Sequence, residues 1–213
     1  MRIALTGGGT GGHIFPILAV VREIKKQVGE NEDVEFLFLG PDGELEKEAM
    51  EREFIPMKKI QCGKMRRYFS PLNFLDIFKI PLGFFQSLWH LLIFMPDAIF
   101  AKGGYASVPV AAAAWFYQIP ILIHESDVVP GLANQLMAKV AKKVAVSFPG
   151  SEKFFPERKV FLTGNPIREE MIQDDKKEGE KIFSLKPDKK TILVIGGSQG
   201  ARVINQAVVT LLP

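Results

Sequence analysis

The stretch RIALTGGGTGGHIFP, residues 2–16, decides the fold. A short apolar run, Arg2–Thr6, meets a loop in which five of the six residues 7–12 are glycine. Beyond it Ile17, Val21, Ile24 and Val28 recur at spacings of 4, 3 and 4, one face of a helix. Strand, glycine loop, helix is the opening of a Rossmann-like unit. Glycines at that junction let backbone N–H groups approach an anion, and the helix N-terminus adds partial positive charge. The same glycines also serve as a tight turn, but anion binding is the favoured reading. His13 closes the loop, where an imidazole near its usual pKa can take a proton from a hydroxyl or simply bind the loop backbone.

The rest of the chain keeps this rhythm. Strand candidates are Val34–Leu39, Phe54–Met57, Ala98–Phe100, Ile121–Ile123, Lys143–Ser147 and Val160–Thr163. Between them lie a charged helix at Glu44–Glu53, a buried one at Val108–Tyr117 and another at Leu132–Ala141. Strands alternating with helices predict an α/β fold, a parallel sheet covered on both faces, with ligands at the carboxyl ends of its strands. After GNPIREE (164–170) comes the charged segment Asp174–Lys190, read as a linker and surface helix. Thr191–Ile195 then runs into GGSQGA (196–201) and a new helical pattern, which repeats the opening. The expected organisation is a first domain over 1–164, and a linker with the first βα unit of a second Rossmann-like domain over 165–213.

Composition narrows the classes. The chain has 213 residues, is 47% hydrophobic and carries a net charge of +3, enough apolar matter for a core and too little charge to demand a nucleic-acid partner. Cys62 is the single cysteine, so no intramolecular disulfide forms and a reducing compartment fits. The N-terminus lacks a secretory apolar region. The apolar run Ile80–Met95 is 16 residues long and holds Pro81, Gln86 and His90. That is short of the roughly 20 residues a membrane span needs, so it reads as buried or interfacial.

Gly7, Gly9 and Gly12 also satisfy G-x-G-x-x-G, which raises a nicotinamide-dependent oxidoreductase as the alternative. That reading wants an acidic residue about 20 positions on, at the end of the second strand. Asp42 lies 30 positions beyond Gly12, and Glu35 sits at the strand's start.

Six blocks carry a resemblance: GGGTGGHIFP (7–16), AKGGYASVPV (101–110), HESDVVPGLANQ (124–135), FPGS (148–151), TGNPIR (163–168) and GGSQGAR (196–202). Together they resemble the MurG family, the GT-B N-acetylglucosaminyltransferases of glycosyltransferase family 28. The resemblance implies an inverting transfer of GlcNAc from UDP-GlcNAc to the C4 hydroxyl of MurNAc in undecaprenyl-diphosphate-linked lipid I, giving lipid II for peptidoglycan. It implies that the first domain binds the acceptor and the second most of the donor. By the same resemblance His13 is the base, and Thr10, Gly11, Gly12, Asn134, Arg168 and Ser198 contact the donor. Tyr105 and Glu125 are further cleft positions, Glu125 also reading as a structural carboxylate. No metal or other cofactor is implied.

Two departures stand out. Many relatives read HEQN where this chain has His124–Glu125–Ser126–Asp127, so no roles carry to Ser126 and Asp127. Family members are also much longer, so the resemblance implies a donor domain broken off at Pro213. A lipid-acceptor-binding module without activity is therefore a second alternative.

Residues 54–75 contain no Asp or Glu but hold Lys58, Lys59, Lys64, Arg66 and Arg67. Phe69, Phe74, Phe78, Phe84, Phe85 and Trp89 follow. Cations beside large apolar side chains suit an anionic bilayer surface. With the resemblance, this predicts a peripheral protein on the cytoplasmic face of the bacterial membrane. Some of these aromatics are expected in the core. Nucleic acid is not an expected partner.

Overall fold

The computed structural model describes residues 1–29, 33–63, 71–169, 175–186, 188–196 and 201–211, with side chains of 71–78 left aside. Two compact units emerge, Met1–Arg168 and Glu169–Pro213.

The first unit is built on seven strands: β1 (Arg2–Thr6), β2 (Glu35–Gly40), β3 (Met57–Lys59), β4 (Ala98–Ala101), β5 (Ile121–Glu125), β6 (Lys143–Val146) and β7 (Val160–Leu162). They form one sheet in the order β3-β2-β1-β4-β5-β6-β7. Every pairing is parallel. Helices α1 (Gly11–Val28), α2 (Glu44–Arg52), α3 (Pro71–Phe94), α4 (Ser107–Phe116) and α5 (Leu132–Ala138) make the crossovers. The strand order reverses between β1 and β4. Ligands of such sheets bind outside the carboxyl ends at that reversal.

Period-two alternation assigns the two faces. Ile3, Leu5, Phe36 and Phe38 pack with Ile14, Ile17, Leu18 and Val21 of α1 and Met50 of α2. The intervening Ala4, Leu37 and Leu39 join Leu91 of α3, Val110 of α4 and Met137 of α5. Burying each large aliphatic side chain contributes about 1.5–3 kcal/mol, so both faces drive closure.

Three elements differ from the sequence expectation. The strand expected at 54–57 begins at Met57, because Phe54 adopts φ 56° in the turn that ends α2, and Pro56 has no N–H for a ladder. The 80–95 run is only the later part of α3, whose 24 residues start at Pro71. Helix α5 stops at Ala138. No helix among the described residues is long and apolar enough to cross a membrane.

The second unit contains α6 (Lys176–Ile182) and α7 (Arg202–Leu211). Asp175 caps α6 by accepting from the Glu178 amide at 3.0 Å. The strand expected at Thr191–Ile195 is not formed: these residues have no ladder partner among those described, and Ile192, Leu193 and Ile195 are exposed. A strand exists only through a neighbour that takes its N–H and C=O groups.

Candidate active site

At the strand reversal two glycine loops interlock. The loop after β1 leads into α1, and the loop after β4 (Lys102–Ala106) leads into α4. Gly104, at φ +84°, lies so near the first loop that a Cβ there would stand 2.9 Å from the Gly8 carbonyl oxygen and 3.5 Å from His13 Cε1. A Cβ on Gly9 would meet the Tyr105 ring at 3.2 Å. These glycines permit close approach of two loops and of His13 to the second of them.

The first loop divides into two parts. Glu46, 3% exposed on α2, accepts the Gly9 N–H at 2.7 Å. A carboxylate thus occupies the first part, where the sequence suggests an anion cradle. The second part is the N-terminus of α1. The amides of Gly11 and Gly12 have no intrahelical acceptor by helix geometry, and Gly12 is exposed. Thr10 occupies the N-cap position but its side chain makes no cap bond. Its Oγ1 instead lies 3.0 Å from His13 Nδ1. Pro16, within the second turn, cannot donate to the Gly12 carbonyl, which loosens the start of the helix.

His13 is partly buried. Its pKa is lowered, first by burial and then by Lys102, against the carboxylates of Glu125, Asp127 and Glu46. The ring therefore favours its neutral form at pH 7, in which one nitrogen carries a lone pair. It lines a cavity of about 370 Å³ together with Tyr105, Glu125, Asp127 and Asn134, with an apolar wall including Val108 and Leu136.

Glu125 and Asn134 form a buried pair. Glu125 Oε1 accepts from the Asp127 amide at 2.9 Å, and Oε2 from the Gly131 amide at 3.0 Å and Asn134 Nδ2 at 2.9 Å. Asn134 Nδ2 also lies 3.2 Å from the His124 carbonyl oxygen, and its Oδ1 is buried without a partner. The carboxylate shapes the 126–131 loop, which is the structural role weighed for it from sequence.

Arg168 lies with its guanidinium carbon 4.8 Å from the Phe15 ring centroid. Phe15 in turn covers Gly11, where a Cβ would stand 2.9 Å from the ring. The first unit thus brings Thr10, Gly11, Gly12 and His13 together with Tyr105, and places Arg168 over α1. Glu125 and Asn134 line the same cavity. Ser198 lies outside the described residues, as do Lys64, Arg66, Arg67 and Phe69; the side chains of Phe74 and Phe78 do too.

Sequence reading did not single out Glu46 or Lys102. Glu46 sits in a charged helix, indistinguishable from its solvated neighbours until the fold closes. The nicotinamide alternative finds no support. The amide of Gly9 is taken by Glu46, and Asp42 beyond β2 is paired with Lys47 and Lys59, both at 2.7 Å.

The sequence profile of the glycosyltransferase family 28 N-terminal domain matches residues 3–146. The chain is 44% identical over 207 residues to the UDP-N-acetylglucosamine--N-acetylmuramyl-(pentapeptide) pyrophosphoryl-undecaprenol N-acetylglucosamine transferase of Clostridium botulinum (strain Loch Maree / Type A3), covering 97% of this chain and 57% of that one. The enzyme of the same name from Clostridium perfringens (strain ATCC 13124) is 42% identical over 211 residues, covering 99% and 58%. Among solved structures, MurG of Acinetobacter baumannii superposes with a TM-score of 0.63 at 29% identity, over 81% of this chain and 47% of that one. A UDP-GlcNAc 2-epimerase of Neisseria meningitidis reaches 0.65 at 17% identity, over 99% and 62%, a likeness of fold alone.

Parallel sheet, interlocked loops and site together define a Rossmann-like α/β unit of the GT-B kind. The chain belongs to glycosyltransferase family 28, through that family's N-terminal domain. It spans a little under three-fifths of the length of the curated relatives it matches.

Proposed function

We propose that this chain serves the inverting transfer of GlcNAc from UDP-GlcNAc to the C4 hydroxyl of MurNAc in lipid I, yielding lipid II. The observation that carries the proposal is His13: its neutral form favoured at pH 7, engaged at Nδ1 by Thr10, at the N-terminus of α1 and in the lining of a cavity. With its proton on Nδ1, His13 has the Nε2 lone pair for the acceptor hydroxyl's proton. The bond formed joins that oxygen to the sugar's anomeric carbon, and the bond broken is to the UDP oxygen. The leaving diphosphate gains negative charge, which the first-turn amides of α1 and the Arg168 guanidinium favour.

In this reading residues 1–164 form the acceptor domain, and 165–213 the linker and start of the donor domain. Asn134 and Ser198 take donor contacts, and Tyr105 lines the acceptor side. The protein works at the cytoplasmic face of the bacterial membrane. Support comes from α3, where Leu82, Phe85, Trp89, Leu92 and Ile93 are exposed at helical spacing, and from the adjoining α4, where Trp115 and Phe116 are exposed.

The test is transfer of labelled GlcNAc from UDP-GlcNAc to a soluble lipid I analogue, with this chain and with a version extended to its relatives' length. Transfer that falls by about a hundredfold or more in His13→Ala supports the reading. Transfer that survives the substitution overturns His13 as base. Acceptor binding with no transfer by either version would leave a binding module.

A further inference from the structure

Lys102 is 2% exposed at the carboxyl end of β4. A buried ammonium is costly unless partners compensate it. Burial lowers its pKa, and Glu125 and Asp127 oppose that shift. Its Nζ donates to Ser126 Oγ at 2.5 Å, and Ser126 Oγ donates to Asn165 Oδ1 at 2.8 Å. Beside this chain of bonds, His124 Nε2 meets the Gly164 carbonyl oxygen at 3.0 Å, and the Thr163 amide donates to the Val146 carbonyl at 2.9 Å. Residues 163–165 are therefore fastened along the carboxyl ends of β5 and β6, three residues before Arg168.

The other side of Lys102 abuts the first glycine loop: a Cβ on Gly7 would stand 3.3 Å from Lys102 Cβ. An uncharged aliphatic stem would fill that space equally well, so packing alone does not explain a lysine. The charge is what distinguishes it. Among the described residues, the charges that act on His13 are those of Lys102 after β4, Glu125 at the end of β5, Asp127 in the next loop and Glu46 on α2. Lys102 is the one cation among them.

We propose that Lys102 and Ser126 are positioning residues of the site. Lys102 sets one positive charge against His13 from beneath the glycine loop, and through the Ser126 hydroxyl it holds Asn165 and the segment that presents Arg168. The proposal rests on the roles proposed above for His13 and Arg168. It also gives an occupation to Ser126, where the chain departs from the HEQN pattern.

The test uses this 213-residue chain without donor or acceptor, titrating its three histidines by NMR. Lys102→Gln keeps a hydrogen-bonding group toward Ser126 and drops the charge. Ser126→Ala keeps the charge and drops the link. Lys102→Gln is expected to raise the His13 pKa by about half a unit or more. Ser126→Ala is expected to leave His13 in place and to speed amide exchange at Asn165 and Ile167 by about threefold or more. If Lys102→Gln does not fold, Lys102→Met is titrated with the same expectation. A His13 pKa that does not rise without the charge, or unchanged exchange in Ser126→Ala, overturns the proposal. Both effects with no sugar transfer would count against the transferase reading alone. Transfer with neither effect would count against this proposal alone.

Discussion

Thr10 Oγ1 lies 3.0 Å from His13 Nδ1, three residues on, and this contact diverts the hydroxyl from capping α1. Thr10→Val is isosteric and removes only the hydroxyl. It is expected to cost less than about 0.5 kcal/mol, below the usual penalty for a lost N-cap. It is also expected to change the His13 tautomer balance seen in ¹⁵N spectra. A stability loss of a full cap with unchanged imidazole signals would contradict this.

His124 ties acid sensitivity to the fold. Burial, foremost, lowers its pKa from 6.5 to about 4. The unfolded chain therefore takes up this proton first. Stability is full above pH 6.5 and falls as pH drops toward 4, by on the order of 3 kcal/mol from this group. Denaturant unfolding at a series of pH values measures the slope, and His124→Gln should flatten most of it. His13, also lowered, adds to the slope in the same direction.

Removing the Glu125 carboxylate leaves the amides of Asp127 and Gly131 without their acceptor, and leaves Asn134 Nδ2 with the His124 carbonyl oxygen alone. Glu125→Ala is expected to destabilise the first unit by about 2–4 kcal/mol. Glu125→Gln retains the acceptor oxygen and should cost clearly less. Equal melting temperatures for both variants and the parent would show that the loop does not depend on this side chain.

Gly104→Ala places a methyl against the Gly8 carbonyl at a backbone angle that alanine resists. A loss of about 1–3 kcal/mol is expected, with the two glycine loops pushed apart. Gly131→Ala, where nothing lies within 4 Å, is the control and should be close to neutral. Comparable losses in the two would argue against the close approach.

The exposed face of α3 and α4 should bring the chain down with anionic vesicles. Binding to neutral vesicles should be weaker, and salt should release the anionic ones. Trp89→Ser with Phe85→Ser should cut sedimentation by about tenfold or more while leaving the melting temperature intact, since both side chains are exposed. Unchanged sedimentation would place the contact elsewhere.

Much of the first unit was legible because its signals are local. Apolar runs of three to six residues between helical patterns give β1, β2, β4, β5 and β6 within a residue or two. The glycine loop and His13 are consecutive in sequence, so their proximity needed no fold. What stayed hidden depends on distant pairings. Glu46 reaches Gly9 across 37 positions, and Ser126 reaches Asn165 across 39. No periodicity reports such contacts. Thr191–Ile195 failed for the opposite reason: its composition is that of a strand, but composition supplies no neighbour.

Phe15 links two positions 157 apart in the chain, Gly11 and Arg168, because its ring carbons stand where a side chain on the first would go and the guanidinium of the second lies over the ring. The three residues therefore inherit as a unit. A side chain at position 11 must displace the ring, and a displaced ring no longer seats the guanidinium. Among descendants of this sequence, change at any one of the three is expected to be followed by change at the others. In a double-mutant cycle, Gly11→Ala and Phe15→Leu should be markedly non-additive.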